Sequence, residues 1–207
     1  IDTLSEAQKV LVDEATSTLF PIARDVKIQV EFNPATVAEY RLIGYETRHL
    51  NREDFNNDAV DAGDIGAGHT VTAIYEFTPL GSPARQLEDS RYSHAESEPG
   101  DRGGEYAYLK IRYKLPEEDN SRLITRPVTR EDGTTLGGEG MAREAGFATA
   151  VAGFAQLLKG GRYTGAYGYD DVIELALQNR GDDPFGYRTE FVQLVRKAKT
   201  AEAMQRR

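Results

Sequence analysis

The sequence predicts an α+β fold: an antiparallel β-sandwich or curled sheet followed by a C-terminal helical cap, with one helix in front. Three observations carry this. Apolar and polar residues alternate with period two in several segments between residues 25 and 128. Such alternation gives each strand one wet side and one core side, which favours antiparallel pairing. From Ala145 onward the apolar spacing becomes helical, so strands and helices are segregated rather than interleaved as in βαβ units. The expected organisation is an N-terminal helix over 1–23, a sheet region over 24–130 with a flexible insertion at 85–104, and a helical region over 141–207 packed on the sheet.

The first helix is expected from Thr3 and Glu6, which have capping-box spacing, and from the stripe Leu4, Ala7, Leu11, Ala15 and Thr18. Pro21 bounds it. A chain that starts on so well prepared a helix is expected to continue a longer polypeptide. Asp25–Asn33 then reads as a strand with Val26, Ile28, Val30 and Phe32 inward and Lys27, Gln29 and Glu31 outward. Val37–Glu46, His69–Thr78, Tyr106–Leu115 and Ser121–Val128 follow as four further strands. In the fourth of the five, Ala107, Leu109, Ile111, Tyr113 and Leu115 are expected inward, and Lys110, Arg112 and Lys114 outward. The segment Arg85–Gly104 is acidic and poor in apolar residues, and reads as a mobile hairpin insertion.

After the Gly- and Thr-rich join Glu131–Gly140, the stripe Phe147, Val151, Phe154 and Leu158 predicts a helix, with Ala145, Ala148, Ala152 and Ala155 as a small-residue side. Gly160 and Gly161 end it. Asp171 and Glu174 have capping-box spacing and predict a short helix carrying Val172, Leu175 and Ala176. Asp183 before Pro184 reads as an N-cap with proline at the first helical position. The last helix carries Phe191, Leu194, Val195 and Ala198. No internal repeat is present.

Composition narrows the function. The chain of 207 residues has 34 acidic and 25 basic side chains, a net charge of −9, and no cysteine. Disulfide staples, thiol catalysis and Cys-ligated metal sites are excluded. Nucleic acid is not an expected partner, because phosphate binding needs clustered Lys and Arg. No apolar run approaches the ~20 residues of a membrane span, so no membrane insertion by this segment is expected.

The most conspicuous polar stretch is Glu53–Asp64 (EDFNNDAVDAGD). Asp54, Asn56 and Asp58 match the first three ligand positions of an EF-hand loop. Ala59 stands where that loop needs glycine and Ile65 where it needs a bidentate glutamate, so an EF-hand is excluded. Two readings remain: a turn-rich connection whose Asp and Asn side chains satisfy backbone N–H groups, or another calcium loop using Asp54, Asn56, Asp58, Asp61 and Asp64. The first is preferred. The glycines of Gly63–Gly68 precede a strand instead of opening a helix, which argues for hairpin backbone and against a phosphate cradle. His49, His69 and His94 show no metal spacing, and no Gly-x-Ser-x-Gly elbow is present. Tyr163, Tyr167 and Tyr169 lie in a Gly-rich join and read as packing residues rather than a stacking platform. No catalytic residue and no cofactor are expected, and the chain is read as not an enzyme.

Long motifs support a family resemblance. Asp25–Pro34 (DVKIQVEFNP), Tyr40–Glu46 (YRLIGYE), Asp54–Asp58 (DFNND), Asp61–Glu76 (DAGDIGAGHTVTAIYE), Tyr169–Ala176 (YDDVIELA) and Gly181–Arg188 (GDDPFGYR) resemble the region that follows the von Willebrand factor A domain in bacterial proteins of the YfbK type. The resemblance covers roughly 2–199. It implies that the opening helix is the last helix of an A domain and that the rest is an accessory C-terminal region. It also implies adhesion-like binding of a protein partner in the bacterial periplasm or cell envelope. The Asp-x-Ser-x-Ser adhesion motif of an A domain is absent, and Ser90, Ser93 and Ser97 do not form it, so no A-domain metal ligand carries over.

Overall fold

The computed structural model describes residues 4–13, 20–45, 50–88, 104–132 and 138–205. Its elements are a short helix α1 (Leu4–Gln8) continued by a π turn (Lys9–Asp13), strands β1 (Pro21–Phe32), β2 (Val37–Ile43), β3 (Gly63–Gly66), β4 (Ile74–Pro79), β5 (Glu105–Lys114) and β6 (Arg122–Thr129), and helices α2 (Gly138–Leu158), α3 (Tyr169–Gln178) and α4 (Tyr187–Gln205). The α+β class is as expected. The chain divides into two compact units, Leu11–Thr135 and Ile1–Val10 with Leu136–Arg207. The expected insertion falls mostly on 89–103, and the Thr3 cap, His49 and His94 also lie outside the described residues.

The first unit holds two open antiparallel sheets: a four-stranded one ordered β3-β1-β5-β6 and the two-stranded β2-β4. Phe32, at the end of β1, joins them. Its ring stacks on Tyr40 at 4.2 Å and meets Tyr75 at 5.7 Å and Phe77 at 5.9 Å. Phe77 in turn meets Tyr106 at 5.2 Å. Offset and tilted rings at these distances add attraction beyond the area they bury.

Boundaries differ from the sequence reading in three places. The first strand starts at Pro21, where a proline costs no ladder bond. The strand expected from His69 starts only at Ile74, and Val71 is 51% exposed. The stretch expected to be a glycine turn is partly the edge strand β3, paired with β1; the left-handed turn sits just beyond it at Gly68, with φ of 77°.

The expected inside and outside of β1 are also wrong at its centre. Lys27 is 3% exposed, while Ile28 is 38% exposed. Register explains this. Ile28, Ile111 and Ile124 stand side by side on one sheet face, and Lys27, Arg112 and Leu123 on the other. At β6 both faces are about half open, with Leu123 49% and Ile124 51% exposed, so the faces differ at β1. The cationic face is the one overlaid, by a 3-10 turn (Arg52–Asn56) that lies against β1 and carries the buried Phe55.

In the second unit α3 packs against both α2 and α4. The core is Ala150, Phe154, Val172, Ala176, Val192 and Val195. The packing side of α2 is therefore Gly146, Ala150, Gly153 and Phe154. Ala145, Val151, Ala155 and Leu158 are exposed, against the expected stripe. Leu194 is likewise exposed, at 53%. Glycine decides this geometry. A Cβ on Gly153 would stand 2.6 Å from Cε1 of Tyr167, and one on Gly146 2.5 Å from the Asn179 side chain. Close approach of α2 to its neighbours excludes even a methyl group there.

Two helix starts are shifted from the expected positions. Gly168, not Asp171, is the N-cap of α3, and Asp171 reaches back to accept the Gly168 N–H at 2.7 Å. Asp183 does cap α4, accepting the N–H groups of Arg188 at 3.2 Å and Thr189 at 2.8 Å, but Pro184 lies in the turn before Tyr187. Gly161 donates to Gln156 O at 3.0 Å and closes α2 as expected.

The glycine contacts predict opposite signs for one substitution. Gly140→Ala meets nothing within 4 Å and should raise the melting temperature, since alanine favours a helix by about 1 kcal/mol over glycine. Gly153→Ala gains the same propensity but must displace the Tyr167 ring, and should lower stability by about 1–3 kcal/mol overall. Thermal denaturation of the two variants beside the parent checks this; equal upward shifts would show that α2 does not approach Tyr167 closely.

Candidate functional site

The acidic stretch singled out by the sequence lies on the cationic face of the four-stranded sheet, and the geometry starts from a β-bulge. β1 carries one extra residue between Arg24, opposite Lys114, and Lys27, opposite Arg112. Asp25 occupies the bulge with φ of 52°, a left-handed conformation that aspartate tolerates better than most residues. Its carboxylate accepts from Lys114 Nζ at 2.7 Å and from the Ala62 N–H at 3.2 Å, and its own N–H donates to Asp64 Oδ1 at 3.2 Å.

Three cations from β1 and β5 then enter the loop. Lys27 Nζ donates to Asn57 O at 2.5 Å and Asp54 O at 3.4 Å. Lys114 Nζ donates to Asp58 O at 2.7 Å besides Asp25. Arg112 donates to Asn56 Oδ1 at 3.0 Å and Ser121 Oγ at 2.6 Å, and its guanidinium lies 5.7 Å from the centre of the Phe55 ring. Asp58 Oδ2 accepts the Ser121 N–H at 3.2 Å. Loop carbonyls that a calcium loop would turn on a metal are turned here on ammonium groups.

The five candidate ligands accordingly point to separate partners. Asp54 Oδ2 accepts from Asn51 Nδ2 at 3.1 Å, Asn56 serves Arg112, Asp58 serves Ser121, and Asp64 serves the Asp25 N–H. Asp61 lies near Asp25. Among the described residues no three His, Asp or Glu side chains are grouped as a metal ion would need. Two polar atoms here are left over: Asp58 Oδ1 is buried without a protein donor and Arg112 Nε without an acceptor.

Electrostatics follow from these contacts. The hydrogen bond from Lys114 holds the Asp25 carboxyl below the usual carboxylate range, against the opposing effect of burial. The Ser121 hydroxyl and N–H hold Asp58 down in the same way, helped by the charges of Arg112 and Lys114. Both groups therefore stay ionised at neutral pH, unlike a general acid, whose pKa must rise toward 7.

Sequence reasoning found the loop and missed Asp25, Lys27, Arg112, Lys114 and Ser121, which hold it. One signal was available. Lys110, Arg112 and Lys114 put three cations on one face of a strand, which complements a loop of aspartates. The remaining candidates are elsewhere. His69 is exposed. Tyr167 packs on Gly153 with its hydroxyl buried, Tyr169 meets Phe154 at 6.2 Å, and Tyr163 is 38% exposed beside Arg162. Where the insertion begins, Glu39 accepts the N–H groups of Gln86 at 2.9 Å and Leu87 at 3.0 Å. No helix among the described residues is long and apolar enough to cross a membrane.

Comparison with known proteins places this architecture. The family model described as "Uncharacterized protein YfbK, C-terminal" matches residues 17–201. The protein named "Uncharacterized protein YfbK" from Escherichia coli (strain K12) is 44% identical over 196 residues, which are 94% of this chain and 33% of that protein. The chain thus spans about a third of the curated relative's length. No solved structure matches.

Two outcomes are expected at this site. Lys27→Met keeps the aliphatic stem but removes the charged donor from the carbonyls of Asn57 and Asp54, which retain only the backbone N–H groups of Val60 and Asn57, at a cost of about 1–3 kcal/mol in urea denaturation. A neutral Lys27→Met would mean that the ammonium does not hold the loop. The second concerns pH. A carboxylate whose folded pKa is depressed contributes stability above its unfolded pKa of about 3.9, and loses it as pH falls through the lower folded value. Asp25→Asn should therefore destabilise the chain at pH 7, and the gap to the parent should close in the acid range below pH ~4. Denaturation curves along a pH series measure that gap, and one that stays constant to the lowest pH would contradict the Lys114 contact.

Proposed function

The chain belongs to the YfbK C-terminal family, and from that premise we propose that it is a non-catalytic binding or scaffold region. It is accessory to a von Willebrand factor type A adhesion-type domain carried elsewhere in the full-length protein, and it serves protein–protein contact at the bacterial envelope. The observation that carries the non-catalytic reading is the internal use of the polar loop. Asn56, Asp58 and Asp64, with the loop carbonyls of Asp54, Asn57 and Asp58, are engaged by Arg112, Ser121, the Asp25 N–H, Lys27 and Lys114. A catalytic acid or base needs a reachable group with a pKa near the working pH, and the Asp25 and Asp58 shifts run away from it. The resemblance of its long motifs to the region that follows an A domain is what supports the accessory role.

The alternative is a calcium-dependent module or hydrolase using Asp54–Asp64. The unpaired Asp58 Oδ1 favours it. One experiment separates the two. The chain is assayed against ester, phosphate and glycoside substrates, and its melting temperature is followed during calcium titration. The scaffold reading expects no turnover and no calcium-specific rise in melting temperature. Turnover abolished by Asp58→Ala, or a saturable rise as ligation stabilises the native state, would establish the alternative.

A further inference from the structure

We propose that the outward face of α4 is a self-association surface on which a second copy of this chain docks antiparallel about a two-fold axis. α4 carries two stripes, one apolar and one mixed. Phe191, Val192, Val195 and Ala198 belong to or pack on the core of the helical unit. A second stripe runs along the other side. Tyr187, Leu194 and Ala201 recur every seven residues, and Glu190, Lys197 and Met204 recur between them with the same period. That is the spacing of a coiled-coil seam. All six side chains are exposed, with Tyr187 at 38%, Leu194 at 53% and Met204 at 71%. Two open grooves lie along this face. One, of about 280 Å³, is bounded by Tyr187, Leu194 and Lys197, and the other, of about 360 Å³, by Lys197, Ala201 and Met204. Lys9 Nζ stands 4.4 Å from the centre of the Tyr187 ring.

Charge selects the occupant. Glu190 and Lys197 sit seven residues apart on the seam, a rise of about 10 Å that prevents them from pairing with each other. In a parallel pair, Glu190 would face Glu190 and Lys197 would face Lys197. In an antiparallel pair centred between Gln193 and Leu194, each Glu190 faces Lys197 of the second copy, and the contact occurs twice. The same alignment sets the large Tyr187 ring against Thr200 and the small Ala201 of the second copy, and brings the two Leu194 side chains together at the axis. Charge and bulk are thus both complementary under one two-fold operation, as an isologous interface requires.

Sedimentation equilibrium of the 207-residue chain from micromolar to millimolar concentration tests this, with circular dichroism melts confirming that each surface variant stays folded. A monomer–dimer equilibrium is expected, and Leu194→Glu should abolish it. Glu190→Lys or Lys197→Glu alone should weaken association by roughly tenfold, since two attractive pairs become repulsive. The double exchange Glu190→Lys with Lys197→Glu should restore it. A chain monomeric throughout, a dimer indifferent to Leu194→Glu, or a double exchange that fails to restore association would each overturn the proposal.

Discussion

Lys27 brings a charged ammonium to a position that is 3% exposed, in the middle of the strand that joins β3 to β5. Burying an ammonium is costly unless oxygen atoms replace the water it loses. Those oxygens come from the backbone of residues 54 and 57, and this requirement shapes the unit around it. The loop must lie down on the sheet for its carbonyls to reach Nζ, and that carries Phe55 into a buried position over Arg112. Lys114 repeats the arrangement one bulge away, with Asp25 as its counter-ion. The polar loop and the basic sheet face are thus joined, with loop carbonyls and the Asn56 amide taking the hydrogen bonds of the sheet cations.

Much of this architecture could be read in the sequence, and the failures have identifiable causes. Alternation located β1, β2, β5 and β6, because side chains on a strand have period two whatever covers the faces. It could not say which face is covered. Lys27, between Val26 and Ile28, reads as solvent-facing until the bulge at Asp25 and the overlying loop are known. β3 escaped because glycine is depleted in strands, and Gly63–Gly66 pairs through its backbone at a sheet edge. In α2 the large residues form a conspicuous stripe, while the contact is made by Gly146, Ala150 and Gly153, where small or absent side chains bring α2 close to its neighbours. Of the site, the loop was legible as an Asp- and Asn-rich run, but its anchors come from strands up to 63 residues away in sequence.

A loop rich in Asp and Asn resembles a cation site as long as only its own residues are considered. Once the sheet supplies two ammonium groups and a guanidinium, three loop carbonyls and the Asn56 amide are engaged by it. In the helical unit, by contrast, α4 keeps exposed charged and apolar side chains on one side. The proposed binding role therefore draws more on such surfaces than on the conspicuous polar motif.

The buried ammonium of Lys27 should by itself hold residues 51–64 in place, without an added cation. Hydrogen–deuterium exchange of that segment, in the parent and in Lys27→Met, with and without calcium, tests this most directly. The account predicts a protected segment in the parent that calcium leaves unchanged, and a loss of protection in Lys27→Met. A segment that exchanges freely in the parent and becomes protected only when calcium is added would contradict it.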